Sequence, residues 1–150
     1  MKPVPSLTGL RGRALAYLAR REHSRRELET KLSPHAANPH ELSDLLDALE
    51  QQGLLSAQRM AEAVARNRRS KFGSARIVHE LQEKGIAADL IAAVLPQLKE
   101  SELAAAREVW RKKFGNHPAT AAEQGKQMRF MMSRGFSSEI VYKVLRQSEE

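Results

Sequence analysis

Histidines and carboxylates are the residues of this 150-residue chain whose spacing bears most directly on catalysis or metal binding. The chain has five histidines and no cysteine, which excludes a cysteine nucleophile, a disulfide framework and a zinc site with thiolate ligands. No third ligand at suitable spacing accompanies His35 and His40, and we interpret both as surface residues. No P-loop, dinucleotide-binding glycine motif or nucleophile elbow occurs. The sequence therefore predicts no enzyme, no cofactor and no metal site.

Basic side chains are better candidates for function. The formal net charge is +7, and Lys and Arg gather at one corner of each of three successive segments of the chain. A repeated positive corner suits an extended polyanion or a repeating acidic protein surface. For any single cluster, a solvated helix face is the simpler interpretation. The candidate partner-binding residues are Arg20, Arg25, Arg66, Arg69, Arg76, Lys84, Lys112, Lys113 and Arg134.

The kind of anion is less clearly indicated. No helix displays Asn, Gln and Arg on one face in the manner of side chains that read base edges. Sequence-specific DNA recognition is therefore the weaker form of a nucleic-acid hypothesis. Trp110 and Phe114 lie four residues apart and are expected to pack inside the fold rather than to stack on bases.

A repeated sequence motif indicates how the chain positions these residues. Residues 85–95 and 135–145 both begin with glycine and a hydrophobic residue, carry an acid at the fifth position and end in Val-Leu. A weaker copy begins at Gly53, and the corners Phe72-Gly73 and Phe114-Gly115 are interpreted as equivalent. A glycine that ends one helix before another begins, repeated along a chain, indicates tandem copies of one supersecondary unit.

Capping signals and apolar spacing predict about nine helices. Residues 24–27 and 120–123 form capping boxes, and Ser74 is the expected N-cap of a further helix. Pro96 is expected to end one helix, so that a new one begins near Ser101. The predicted fold class is all-α, an elongated tandem array of three three-helix repeats. The expected boundaries are a flexible N-terminus at 1–9 and repeats at 10–56, 57–98 and 99–150.

Composition agrees with a helical protein. Aromatic residues make up 5% of the chain, and β-branched residues are few beside Ala, Leu, Glu, Lys, Arg and Gln, which favours helix over strand. No apolar run approaches the ~20 residues that span a bilayer, and residues 1–5 lack the apolar core of a signal peptide. We expect a cytoplasmic protein without a membrane partner. The absence of heptads predicts a monomer.

In the order and spacing of its motifs, the sequence resembles the RecX family of recombination regulators over nearly its full length. The matching motifs are Ala14-x3-Leu18-x-Arg20-x3-Ser24-x2-Glu27-Leu28-x2-Lys31-Leu32, Arg69-x3-Gly73-x2-Arg76-Ile77-x2-Glu80-Leu81-x2-Lys84-Gly85-Ile86, Lys112-Lys113-Phe114 and Lys126-x3-Phe130-x3-Arg134-Gly135-Phe136. After Gly53 this chain departs from the family pattern, since residues 54–60 lack the usual aromatic and acidic residues.

The resemblance implies a protein that binds the RecA recombinase. Such proteins lie in the helical groove of the RecA–single-stranded DNA filament, inhibit its ATPase and strand exchange, and block its growth or promote its disassembly. The leading hypothesis is a non-enzymatic regulator of recombination and DNA repair with the RecA filament as partner. The alternative is a basic helical protein that competes for single-stranded or duplex DNA without contacting RecA.

Overall fold

The computed structural model describes residues 9–146, which form eight α-helices, one short 3-10 helix and no strand. The helices are α1 Leu10–Arg20, α2 Arg25–Leu32, α3 Pro39–Gln51, α4 Ala57–Arg68, α5 Ser74–Glu83, α6 Ala88–Lys113, α7 Ala121–Ser133 and α8 Ser138–Leu145. The expected flexible N-terminus lies outside the described residues, apart from Gly9, which is the N-cap of α1. No helix within 9–146 is long and apolar enough to cross a membrane.

The helices pack as three successive units, each around an apolar core of its own. The first unit is α1 to α3, the second is α4, α5 and the first half of α6, and the third is the second half of α6 with α7 and α8. The largest fully buried hydrophobic side chains are Leu28, Leu32, Leu46 and Leu49 in the first core, Ile77 and Leu81 in the second, and Met131, Phe136, Val141 and Val144 in the third. The predicted fold class is confirmed.

One predicted helix end is wrong. The chain does not break at Pro96, and α6 continues through it from Ala88 to Lys113. Proline inside a helix costs about 3 kcal/mol through its missing N–H and its clash with the preceding turn. The ring of Pro96 lies on the exposed side of α6, while Val94 and Leu98 are buried in the second core and Ala106 in the third. Burial on both sides of Pro96 outweighs its cost, and the described residues form eight helices, close to the predicted number of about nine.

Two supposed equivalences along the sequence also differ in the structure. Gly73 is the N-cap of α5, with φ −77°, whereas Gly115 follows the end of α6 in a left-handed conformation, with φ 74°. Phe72-Gly73 and Phe114-Gly115 are therefore not equivalent corners. Gly53 ends the third helix of its unit, whereas Gly85 and Gly135 end second helices. The weaker copy of the repeated sequence motif thus lies at a different place in the fold.

Capping explains where several helices begin. Both predicted capping boxes form, at Ser24 with Glu27 and at Thr120 with Glu123. Ser74 is not an N-cap but the first residue of α5. Its amide and its hydroxyl both donate to the buried carboxylate of Glu102, at 3.2 Å and 3.0 Å. A side chain from α6 therefore caps α5, which binds the shared helix to the second unit.

Trp110 and Phe114 pack in the core of the third unit, as their spacing predicts. Trp110 is 8% exposed and its indole N–H donates to the amide oxygen of Gln127 at 2.8 Å. Phe114 packs edge-on against Phe130, with ring centroids 5.5 Å apart. Stacking on bases by Trp110 is excluded by this burial.

Candidate functional site at the unit junctions

The contacts between the first and second units are polar. The guanidinium of Arg26, in the first turn of α2, donates to the carbonyl of Glu83 at 3.3 Å. The ammonium of Lys84, at the end of α5, donates to the carboxylate of Glu27 at 3.2 Å. Gly85 follows Lys84 with φ +78°, and a Cβ at this position would lie 2.9 Å from Arg26 Nε. The positive φ favours glycine at this position, and the missing Cβ leaves room for the Arg26 side chain.

The same junction is built again between the second and third units. Arg76, in the first turn of α5, donates to the carbonyl of Ser133 at 3.2 Å. Ser133 precedes Gly135 by two residues, as Glu83 precedes Gly85, and a Cβ on Gly135 would overlap Arg76. The Gly73 amide adds a hydrogen bond of 2.8 Å to the Arg134 carbonyl. Both junctions therefore use an arginine that caps the end of the next unit's second helix.

Glu27 is the central acid of the first junction. Its carboxylate accepts hydrogen bonds from Arg21 at 2.9 Å, from the Ser24 amide at 2.9 Å and from Lys84 at 3.2 Å. Burial alone raises the pKa of Glu27, but these three donors outweigh burial and lower the pKa to about 2. Glu27 is consequently ionised throughout the physiological range, and it holds together α2 and α5.

A cleft lies beside each junction. The first cleft is lined by Arg21, Glu22, Met60, Ala63, Val64, Asn67, Arg68, Glu80 and Lys84 and has a volume of about 300 Å³. Its cations are paired within the chain. Arg68 contacts Glu80 at 3.1 Å, and Lys84 and Arg21 contact Glu27 at 3.2 Å and 2.9 Å.

The second cleft differs in charge. It is lined by Ser70, Lys71, Glu108, Val109, Lys112, Lys113, Phe130 and Arg134 and has a volume of about 450 Å³. Lys113 Nζ and the Arg134 guanidinium carbon lie 5.0 Å and 5.1 Å from the centre of the Phe130 ring. Arg134 also donates to the Lys71 carbonyl at 3.2 Å. Four basic residues and one acid thus line this cleft together with the apolar side chains of Val109 and Phe130, and the second cleft is the more positive of the two.

The structure divides the nine candidate residues into two groups. Four hold the fold together: Arg25 pairs with Asp47 and Glu50 at 2.8 Å each, and Arg76, Lys84 and Arg134 make the junction contacts described above. The other five are exposed: Arg20, Arg66, Arg69, Lys112 and Lys113. Among these, Lys112 lies 3.7 Å from Glu108, and the rest make no ion pair with any residue of the part of the chain that the structure describes.

Only three of the nine, Lys112, Lys113 and Arg134, meet in the second cleft. Sequence reasoning missed the importance of Phe130 and Glu80 for the two clefts. Both stand five residues before the glycine of a repeated sequence motif, and that shared spacing is the signal that relates them. No group of three or more His, Asp or Glu side chains within 9–146 is arranged to hold a metal ion.

The fold and the clefts define a class: an all-α tandem-repeat protein with basic clefts at the junctions of its units. Comparison with known proteins identifies the family. The family model for the second three-helix domain of RecX matches residues 58–95, and the model for the third three-helix domain of RecX matches residues 100–145. The chain belongs to the RecX family of regulatory proteins.

Individual relatives agree over most of the chain. It is 52% identical to the regulatory protein RecX of Leptothrix cholodnii over 137 residues, covering 91% of this chain and 87% of the relative. It is 47% identical to that of Ralstonia nicotianae over 136 residues, covering 91% and 86%. The crystal structure of RecX from Lactobacillus salivarius superposes with a TM-score of 0.76 at 21% identity, covering 92% of this chain and 93% of that one.

Proposed function

We propose that this protein regulates recombination and DNA repair by binding the RecA–single-stranded DNA filament in its helical groove. There it inhibits ATP hydrolysis and strand exchange by RecA. The observation that carries the proposal is the repeated junction: an arginine that donates to a carbonyl at the end of the next unit's second helix, and a cleft beside it, recur from one unit to the next. A surface that repeats along an array suits a partner whose own surface repeats along a filament.

The mechanism is steric. An array that lies between neighbouring RecA subunits opposes the rearrangements that strand exchange and ATP turnover require. Exposed cations supply long-range attraction to an acidic filament, and the net charge of +7 favours fast encounter. Arg66 lies on the surface of the last turn of α4 and Arg69 is the C-cap residue of that helix, while Arg20 is exposed at the end of α1. The proposed role requires no chemistry from the protein itself.

The rival function is DNA binding without RecA. Arg66 and Arg69 favour this function, because they are exposed and make no ion pair among the described residues. Cations that contact DNA phosphates are expected to be exposed and unpaired in the same way when no DNA is bound. In that case binding to single strands falls with salt, with a log–log slope of about −0.7 per phosphate contacted. We propose a cytoplasmic monomer with three repeats at 10–56, 57–98 and 99–150 in either case.

The experiment is single-stranded-DNA-dependent ATP hydrolysis by RecA from the same source, titrated with this protein at excess DNA. The proposal expects inhibition well below one protein per RecA that extra DNA does not relieve. Inhibition that requires enough protein to cover the DNA, and that fades as DNA is added, would establish the rival. No inhibition at any ratio would refute both.

A further inference from the structure

Equivalent positions in the two clefts carry different residues. Arg68 and Lys113 are the last residues of α4 and α6, the first helices of their units. Lys84 and Arg134 immediately precede the left-handed glycines that end α5 and α7. Glu80 and Phe130 each stand four residues before these cations and therefore share a helix face with them. The two clefts are thus copies of one site in which Glu80 corresponds to Phe130.

In the first cleft a carboxylate lies between the two cations. Glu80 accepts a hydrogen bond from Arg68 Nε at 3.1 Å, and its other oxygen lies 3.9 Å from Lys84 Nζ. This pairing shows which chemical group the geometry of the site accommodates. A carboxylate held by two cations from different helices is fixed in position as well as neutralised.

In the second cleft both cations are present, and the one acid that lines it, Glu108, pairs with Arg111 and Lys112 rather than with Lys113 or Arg134. Lys113 Nζ and the Arg134 guanidinium carbon lie 5.0 Å and 5.1 Å from the centre of the Phe130 ring, and neither side chain pairs with an acid of residues 9–146. Arg134 is held in place by its hydrogen bond to the Lys71 carbonyl at 3.2 Å and by the Phe72 ring, 5.3 Å from its guanidinium carbon. A guanidinium that is already oriented loses little entropy when it binds a carboxylate.

We propose that Lys113 and Arg134 in the second cleft bind an Asp or Glu side chain of the protein partner, which supplies to these two cations the carboxylate that Glu80 supplies to Arg68 and Lys84 in the first cleft. The identity of that partner as the RecA filament rests on the proposed function above; the chemistry of the site does not. The first cleft favours a carboxylate over a DNA phosphate as the ligand of the second, because the equivalent cations of the first cleft already bind the carboxylate of Glu80. Lys113 and Arg134 both lie beside the Phe130 ring and Phe114 packs edge-on against it, which leaves the ring poorly placed to stack on a base.

The decisive variant supplies the missing group within the chain. Phe130→Glu places a carboxylate where Glu80 stands in the first cleft, and Phe130→Gln is the matched neutral control. We expect Phe130→Glu to have the higher thermal midpoint of the two, because its carboxylate pairs with Lys113 and Arg134. We also expect it to bind the filament more weakly than Phe130→Gln by about tenfold, the order of one charge-assisted hydrogen bond.

Binding is measured by fluorescence anisotropy with two probes: RecA assembled on oligo(dT) with a non-hydrolysable ATP analogue, and bare oligo(dT). Weaker binding of Phe130→Glu to the filament, with binding to bare oligo(dT) unchanged relative to Phe130→Gln, supports the proposal. An equal loss for both probes identifies a phosphate site and overturns it. Equal filament binding by the two variants also overturns it.

Lys113→Glu tests the same site while keeping the Phe130 ring and its edge-on contact with Phe114. Its control is Lys143→Glu, which makes the same change of charge on the exposed face of α8, away from the cleft. We expect only Lys113→Glu to lose filament binding; equal losses for the two variants would show a general charge effect and refute the proposal.

A hexaglutamate peptide separates this proposal from the proposed function. Its addition to the wild-type protein is expected to shift the NMR signals of Arg134 and Lys113, whether or not the protein binds RecA. Unmoved signals at saturating peptide would refute the carboxylate site even if filament binding were observed. A protein that binds the peptide at these residues but not the filament would keep the site and lose the proposed partner.

Discussion

Replacing Gly73 by alanine tests how closely the second and third units approach. Gly73 has φ −77°, so alanine adopts its backbone conformation without strain. The added Cβ, however, would overlap the backbone of Gly135 and Phe136. Backbone atoms cannot swing aside as the end of a side chain does. The substitution must therefore separate α5 from the end of α7, and the hydrogen bond from the Gly73 amide to the Arg134 carbonyl at 2.8 Å is lost.

The expected cost follows from these two effects. Overpacking a close contact costs about 1–3 kcal/mol, and a buried amide left without a partner costs about 1–3 kcal/mol more. We expect a loss of about 3 kcal/mol of unfolding free energy. For a chain of this size each kcal/mol lowers the thermal midpoint by about 2–4 °C, so the midpoint falls by roughly 6–12 °C.

Gly53→Ala is the matched control. Gly53 has φ +74°, and nothing lies within 4 Å of a Cβ built on it, so alanine there meets only the left-handed backbone penalty of about 1–2 kcal/mol. Both variants are compared by urea unfolding followed by circular dichroism, and amide hydrogen exchange at residue 73 is measured by NMR. A Gly73→Ala variant no less stable than Gly53→Ala, with its amide still protected, would refute the close approach of the two units.

Three further predictions follow from the charged contacts. Because the pKa of Glu27 is lowered to about 2, its stabilisation is complete above pH ~4.5 and is lost as the pH falls towards 2; acid titration followed by circular dichroism should show a smaller loss for Glu27→Gln than for the wild type. Glu102→Ala removes the acceptor for both donors of Ser74 and should cost about 2–4 kcal/mol in urea unfolding, whereas Glu102→Gln should cost less; equal costs would contradict the cap. Charge reversal at Arg66 and Arg69 together should weaken inhibition of RecA ATP hydrolysis while circular dichroism shows unchanged helix content, and full inhibition would exclude these residues from the interface.

Local signals in the sequence predicted local structure well. The capping boxes at Ser24 and Thr120 depend on residues three positions apart, and both form. The glycines at 85 and 135 end helices because each adopts a left-handed conformation that other residues avoid. Such features are decided by neighbours along the chain and can therefore be predicted from one sequence.

Contacts between distant segments were not predictable in the same way. Pro96 is a strong local stop signal, yet burial of Leu98 and Ala106 on the far side of it keeps the helix intact. Arg76 and Lys84 look like surface cations in the sequence, and only the folded chain brings them against Ser133 and Glu27. Basic residues that face solvent and basic residues at a junction are of the same types and occur at the same helical spacing. The sequence alone therefore identified basic residues but not which of them remain free to bind.

The continuous helix α6 has a mechanical consequence. At 1.5 Å per residue, its 26 residues span about 39 Å, and its two ends belong to different cores. Turning the third unit about this axis would have to twist the helix itself, whereas no helix is shared between the first unit and the second. A displacement of the third unit at Lys113, the end of α6, is therefore transmitted along the helix to the packing around Ile91 and Val94, whereas the first unit is joined to the second by the chain at Gly53 and by the side-chain contacts of the first junction.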